Sequence, residues 1–209
     1  TLAFVGFVTA VFLFRTYGKP FHVPSSTMEP TIVPGDRVLA EQRAYTDTRP
    51  ERGDIVVFRY PKNPSINYIK RVVGLPGDSI RLENNVVILN NIPIPQQNWD
   101  HDRTPLEGSS LELDKTSLFR ESLPDHPYYV VKNKEGSFIY GNWPKDVDEI
   151  LVPQNHVFVL GDNRDNSADS RVFGSVPLNL VVGRVRHVIY HIGSDGFRYQ
   201  RLFKSLDPS

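Results

Sequence analysis

Three consecutive hydroxyl side chains, Ser25, Ser26 and Thr27, stand between Pro24 and Pro30 in the stretch Phe21-His22-Val23-Pro24-Ser25-Ser26-Thr27-Met28-Glu29-Pro30-Thr31. Proline fixes its own φ and pushes its predecessor towards extended backbone, so a non-helical stretch is expected here. Hydroxyls held on such a backbone can be aimed at a substrate. A hydroxyl is a poor nucleophile until a base takes its proton, so any chemistry depends on a partner elsewhere in the chain. Taken by itself, the stretch reads equally well as a Ser/Thr/Pro loop without chemistry.

A partner is available in Tyr68-Ile69-Lys70-Arg71-Val72-Val73, which reads as a strand closed by Gly74-Leu75-Pro76-Gly77-Asp78. Strict alternation puts Tyr68, Lys70 and Val72 on one face and Ile69, Arg71 and Val73 on the other. One basic residue therefore shares a face with apolar neighbours. It is either a lysine snorkelling at a sheet edge or a lysine desolvated by its surroundings. Desolvation lowers an ammonium pKa, and a neutral lysine can serve as general base. A third polar run, Gly161-Asp162-Asn163-Arg164-Asp165-Asn166-Ser167-Ala168-Asp169-Ser170-Arg171, follows the buried-type strand Val157–Leu160. Asp and Arg at this spacing can pair bidentately, so the run reads as a loop held by its own side chains, or as a solvated surface loop.

Composition removes several classes of function. The chain of 209 residues balances 24 basic against 24 acidic side chains, so nothing points to nucleic acid as a partner. Cys is absent, which excludes disulfides, thiol nucleophiles and zinc-thiolate sites. The six His are scattered without metal-ligand spacing, and no cofactor or metal is expected. The run Leu2–Phe14 is apolar apart from Thr9. It could be a signal-peptide core, a buried helix or the end of a membrane-spanning helix; being apolar on every face, it best fits the last.

The elements that must position these residues are strands. With 17 Pro and 14 Gly among many Val, Ile and Tyr, short strands and turns are expected rather than long helices. Arg37–Ala40, Ile55–Tyr60, Tyr68–Val73, Ser79–Leu82, Val86–Leu89, Ile92–Ile94, Tyr128–Val131, Phe138–Tyr140, Val157–Leu160, Val181–Ile192 and Phe197–Phe203 are the predicted strands. Asn84-Asn85 and Asn90-Asn91 suit hairpins because Asn tolerates left-handed backbone. Residues 95–127 show little periodicity. The expected fold is mostly β: an antiparallel β-sheet core at 19–83 and 153–209, an inserted smaller β subdomain at 84–152, and the C-terminal part of an anchor helix at 1–18. Trp99, Tyr128, Tyr129 and Trp143 are expected to form the small core of that insertion rather than a ligand box.

Taken in order, Pro24–Thr31, Gly53–Phe58, Tyr68–Asp78 and Gly161–Arg171 resemble the bacterial type I signal peptidases, or leader peptidases. The likeness covers roughly 20–77 and 153–192. It implies a membrane-anchored serine-type endopeptidase with a hydroxyl/lysine dyad. Such an enzyme removes signal peptides from exported preproteins after small, Ala-x-Ala-like residues, on the outer face of the cytoplasmic membrane. Its implied partners are those signal peptides and membrane lipid. The resemblance maps the nucleophile to Thr27, the general base to Lys70 and an oxyanion donor to Ser25. It maps support of the dyad to Ser167, Asp169 and Arg171, and the lining of the substrate pockets to Phe21, Val23 and Ile69. This sequence departs from the family at Thr27, where Ser is usual. The hydroxyl survives, but the β-methyl stiffens χ1 and crowds the attack path. A weakened or inactive signal-peptide binder on the same scaffold is the alternative, and a self-cleaving repressor-like Ser/Lys protease a remoter one.

Overall fold

β-Branched runs bounded by turn residues give most of the regular structure. The computed structural model describes residues 18–102, 106, 109–112, 114–123, 126–134, 143–194 and 196–206. The apolar run Leu2–Phe14 and the expected strand Phe138–Tyr140 lie outside these residues. The strands are β1 (Gly18–His22), β2 (Asp36–Glu41), β3 (Ile55–Tyr60), β4 (Asn63–Gly74), β5 (Ser79–Glu83), β6 (Val86–Leu89), β7 (Ile92–Pro93) and β8 (Gln96–Asn98). They continue with β9 (Thr116–Leu123), β10 (His126–Asn133), β11 (Val147–Leu151), β12 (His156–Leu160), β13 (Val176–Pro177), β14 (Val181–Gly193) and β15 (Gly196–Phe197). A short helix, α1 (Ser170–Phe173), follows the Gly161–Asp169 loop. Among the described residues no helix is long and apolar enough to cross a membrane.

Among the described residues the strands form three antiparallel sheets. The largest runs β1-β2-β14-β3-β4-β12-β13, with β15 added on β14. A three-stranded sheet runs β10-β9-β8 and a four-stranded one β11-β5-β6-β7. Asn84, Asn85, Asn90 and Asn91 all take positive φ in the turns flanking β6, as their residue type predicts. The β5–β6 hairpin pairs Glu83 with Val86, so strand pairing runs across the expected 83/84 boundary. Val73, Phe158 and Leu160 of the large sheet share one core with Ile80, Leu82, Leu123, Tyr128 and Val130 of the smaller ones.

Several stretches differ from the sequence expectation: β1 and β11 were not among the predicted strands, and β4 begins at Asn63 rather than Tyr68. Residues 95–127, expected to be irregular, contain β8 and the eight-residue β9. β9 carries Glu121 at a buried position, and only a distant partner makes that tolerable. The expected strand Phe197–Phe203 ends after Phe197 and gives way to a 3₁₀ turn at Tyr199–Arg201. The Arg201 guanidinium is drawn inward onto buried Asp36, with Nε 2.8 Å from Oδ1 and Nη2 2.5 Å from Oδ2.

Candidate active site

The hydroxyl stretch leaves β1 and forms a tight turn. Val23 is fixed between Asp36 and Gly35 by backbone bonds of 3.0 and 2.9 Å. Glu29 N donates to Ser26 O at 3.1 Å and Ile32 N to Met28 O at 3.0 Å, which closes the turn. Met28 drops into a core with Val23, Ile32 and Val57. Burying such a side chain is worth roughly 1.5–3 kcal/mol, so the residue after Thr27 is an anchor. Thr27 itself stays half-exposed at the head of the turn. Its hydroxyl lies 3.4 Å from that of Ser25, whereas the Ser26 hydroxyl turns away and accepts from Asn166 Nδ2 at 2.8 Å.

Lys70 reaches this turn from β4. Its Nζ donates to Thr27 Oγ1 at 2.7 Å and to the Ile69 carbonyl at 3.0 Å. The side chain is 3% exposed, and its ammonium sits 5.5 Å from the Tyr68 ring centroid. No carboxylate lies within ion-pair distance of it among the described residues. Burial therefore dominates and lowers its pKa to about 8, partly offset by the more distant Asp169 and Asp162. Of the two readings open from sequence, the structure favours the desolvated lysine over the snorkelling one.

The Gly161–Arg171 loop lies behind the turn. Asn163 N donates to Thr27 O at 3.1 Å and Asn163 Nδ2 to Ser26 O at 3.2 Å. A Cβ at Gly161 would stand 2.5 Å from Thr27 O and 2.2 Å from Ser167 Oγ, so only glycine lets the loop approach this closely. Asp169 and Arg171 pair bidentately, at 2.8 and 2.9 Å. Burial alone would raise the Asp169 pKa, but Arg171 and the Gly161 N–H hold it below the usual carboxylate range. Arg171 also donates to Asn85 Oδ1, Pro144 O and Arg164 O, at 3.0, 3.2 and 2.6 Å. Ser167 is fully buried, and among the described residues its Oγ has no hydrogen-bond partner, Lys70 included.

A cleft of about 290 Å³ opens over Thr27 and Lys70. The end of β1 and the following turn form one wall; the exposed first half of β4 forms the other. Of the residues expected to line it, Val23 and Ile69 do so. Phe21 instead packs half-buried against the core cluster that includes Met28 and Val57. Met28, Ile66, Tyr68 and Ala168 also line it and were not assigned to the pocket from sequence. Sequence also missed the clamp beside Lys70. Arg71 donates to Asp162 from Nε and Nη2 at 2.8 and 2.7 Å, and Thr31 Oγ1 donates to the same carboxylate at 2.6 Å. Arg71 lies on the face opposite Lys70, so alternation carried the signal, but not the identity of the acid. Among the described residues no group of three or more acidic or His side chains is placed to hold a metal.

A buried, unpaired amine in hydrogen-bond contact with a hydroxyl at the floor of an apolar cleft can deprotonate that hydroxyl for attack on a carbonyl. Comparison with known proteins points the same way. The family model described as signal peptidase, peptidase S26, matches residues 1–190. A signal peptidase I of Buchnera aphidicola subsp. Baizongia pistaciae is 30% identical over 237 residues, covering 91% of this chain and 76% of that protein. The signal peptidase I of Aquifex aeolicus is 34% identical over 209 residues, covering 89% and 81%. That of Pseudomonas aeruginosa is 34% identical over 188 residues, covering 79% and 62%.

Proposed function

This chain belongs to the signal peptidase family, peptidase S26, and from that premise we propose that it removes signal peptides from preproteins with Thr27 as nucleophile and Lys70 as general base. One observation carries the assignment: the 2.7 Å contact between the buried Lys70 amine and the Thr27 hydroxyl. In the reactive form the amine is uncharged and the hydroxyl donates to it. Lys70 takes that proton as Thr27 Oγ1 adds to the scissile carbonyl. The tetrahedral oxyanion needs preorganised donors, and the Ser25 hydroxyl, 3.4 Å from Thr27 Oγ1, is a candidate. Collapse expels the new amino terminus, which takes the proton from Lys70, and leaves an ester on Thr27. Water activated by the same amine then hydrolyses the ester.

The cleft supports the specificity. Bounded by Val23, Ile69 and Ala168, it has room for small side chains, and bulkier ones would clash. Ser167, Asp169 and Arg171 support the dyad by fixing the loop beneath it. The β-sheet core at 19–83 and 153–209 carries the chemistry, with 84–152 as an insertion. The apolar run Leu2–Phe14 anchors the protein in the cytoplasmic membrane with the catalytic part on the extracytoplasmic side, where lipid and the signal peptide meet it. The test is cleavage of a preprotein bearing an Ala-x-Ala site by the parent, Lys70→Ala and Thr27→Ser. Cleavage by the parent that Lys70→Ala abolishes and Thr27→Ser accelerates is the expected result. A Lys70→Ala protein that cleaves at the parent rate overturns the mechanism.

A further inference from the structure

A second set of buried polar groups lies outside the dyad, on the three-stranded sheet. Glu121 of β9 is 1% exposed and Arg164 of the loop is 0% exposed. Arg164 Nη1 and Nη2 donate to the two Glu121 carboxylate oxygens at 2.9 and 2.5 Å. Tyr128 of β10 donates its hydroxyl to Glu121 Oε2 at 2.6 Å, and Arg164 Nη2 approaches that hydroxyl at 3.3 Å. The Tyr128 ring meets a second guanidinium, with Arg71 Cζ 4.3 Å from its centroid. Tyr128 thus stands between the residue next to Lys70 and the loop that holds Thr27.

Each connection continues into the dyad. Arg71 is the β4 neighbour of Lys70 and is clamped to Asp162. Asp162 O accepts from Val131 N of β10 at 2.9 Å, and Val131 bridges Asn163. Asn163 N in turn donates to Thr27 O at 3.1 Å. Arg164 Nε closes the circuit by donating to Gly161 O at 3.2 Å. A buried charge left without its partner is costly, so Arg164 is held where Glu121 is, and the loop with it.

We propose that the three-stranded sheet positions both members of the pair, with Glu121 and Tyr128 acting as positioning residues through Arg164 and Arg71. The proposal rests on the assignment of Thr27 and Lys70. It gives the sheet a task in the reaction although none of its side chains lines the cleft. The charged groups acting on Lys70 are Asp162, Asp169 and Arg171, and all three belong to the loop this sheet holds. Loosening that loop admits water to the amine and returns it towards ordinary lysine behaviour.

The experiment compares the parent with Glu121→Gln and Tyr128→Phe, below the melting temperature of each. Preprotein cleavage gives kcat and KM. Labelling by an amine-reactive reagent across pH, read at the Lys70 peptide by mass spectrometry, gives the Lys70 midpoint without requiring turnover. For Glu121→Gln we expect kcat about tenfold lower, KM within about twofold, and a raised Lys70 midpoint. Tyr128→Phe keeps the ion pair and the ring, folds as the parent does, and shows the same changes at about a third of that size. A parent that fails to cleave, but whose Lys70 midpoint rises in both variants, removes the catalytic assignment and leaves the positioning in place. A parent that cleaves by way of Lys70, beside variants whose kcat and midpoint match it, overturns the positioning role alone. Lower melting temperatures with unchanged midpoints do the same, because they show a purely structural brace.

Discussion

Lys70 and Arg71 are neighbours on β4, both almost fully buried, and their environments act on them in opposite directions. Arg71 faces the loop and meets the Asp162 carboxylate at 2.7–2.8 Å. Burial alone would lower its pKa, but the charge and hydrogen bonds of Asp162 outweigh that and raise it. Lys70 faces the cleft, hydrogen-bonds among the described residues to a hydroxyl and a carbonyl, and its pKa falls to about 8. Burial of a cation is therefore not what makes a base. Burial without a counter-charge is: the loop pairs Asp162 with Arg71 and Asp169 with Arg171 and turns Asp165 to Asn85 and Asn133, so that among the described residues no carboxylate is within ion-pair distance of the amine.

The sharpest way to break this contrast is to remove the unpaired amine. Lys70→Ala should lower kcat about 10³-fold or more with folding retained, read by preprotein cleavage and circular dichroism. Breaking the paired side should act first on stability. Asp162→Asn leaves Arg71 buried without a full charge partner and should cost about 3–5 kcal/mol in denaturant unfolding. Restoring the usual family hydroxyl by Thr27→Ser should raise kcat about tenfold by clearing the methyl from the attack path, measured in the same cleavage assay.

Two smaller effects sharpen the comparison. The uncharged amine is the active form, so kcat/KM should climb with pH and level off above about 8. The folded amine titrates near 8 and the unfolded one near 10.5, so between these values the unfolded chain binds more protons. Stability contributed by Lys70 should thus rise across that window, and the parent should gain on Lys70→Ala in melting temperature as pH increases through it. Ser26→Ala removes only the bond from Asn166 and should cost about 1 kcal/mol in unfolding, with cleavage within about threefold of the parent. A large loss of cleavage there would make Ser26, and not Thr27, the reactive hydroxyl.

Much of this arrangement was legible in the chain. Pro24 and Pro30 marked the non-helical turn, and alternation along Tyr68–Val73 separated Lys70 from Arg71. The Asn pairs marked the β6 turns, and the Asp169/Arg171 spacing marked an ion pair that the loop forms. The loop as a whole was read as holding itself, and that was only partly so. Asp162 binds Arg71, Arg164 binds Glu121, and Asn163 and Asn166 bind Ser26. Phe21 was expected at the cleft and packs half-buried against the cluster of Val23, Met28 and Val57, a contact between β1 and distant strands that no local pattern encodes.

What sequence alone determined were the periodicities, the turn residues and the chemical types at Ser25, Thr27 and Lys70, since each depends on near neighbours in the chain. Only the tertiary structure decided which charges are paired. Glu121 lies 43 residues before Arg164, and Asp162 lies 91 after Arg71. The Lys70 pKa depends on a distance to carboxylates that no local pattern encodes, and electrostatic energy in a buried site is set by such distances.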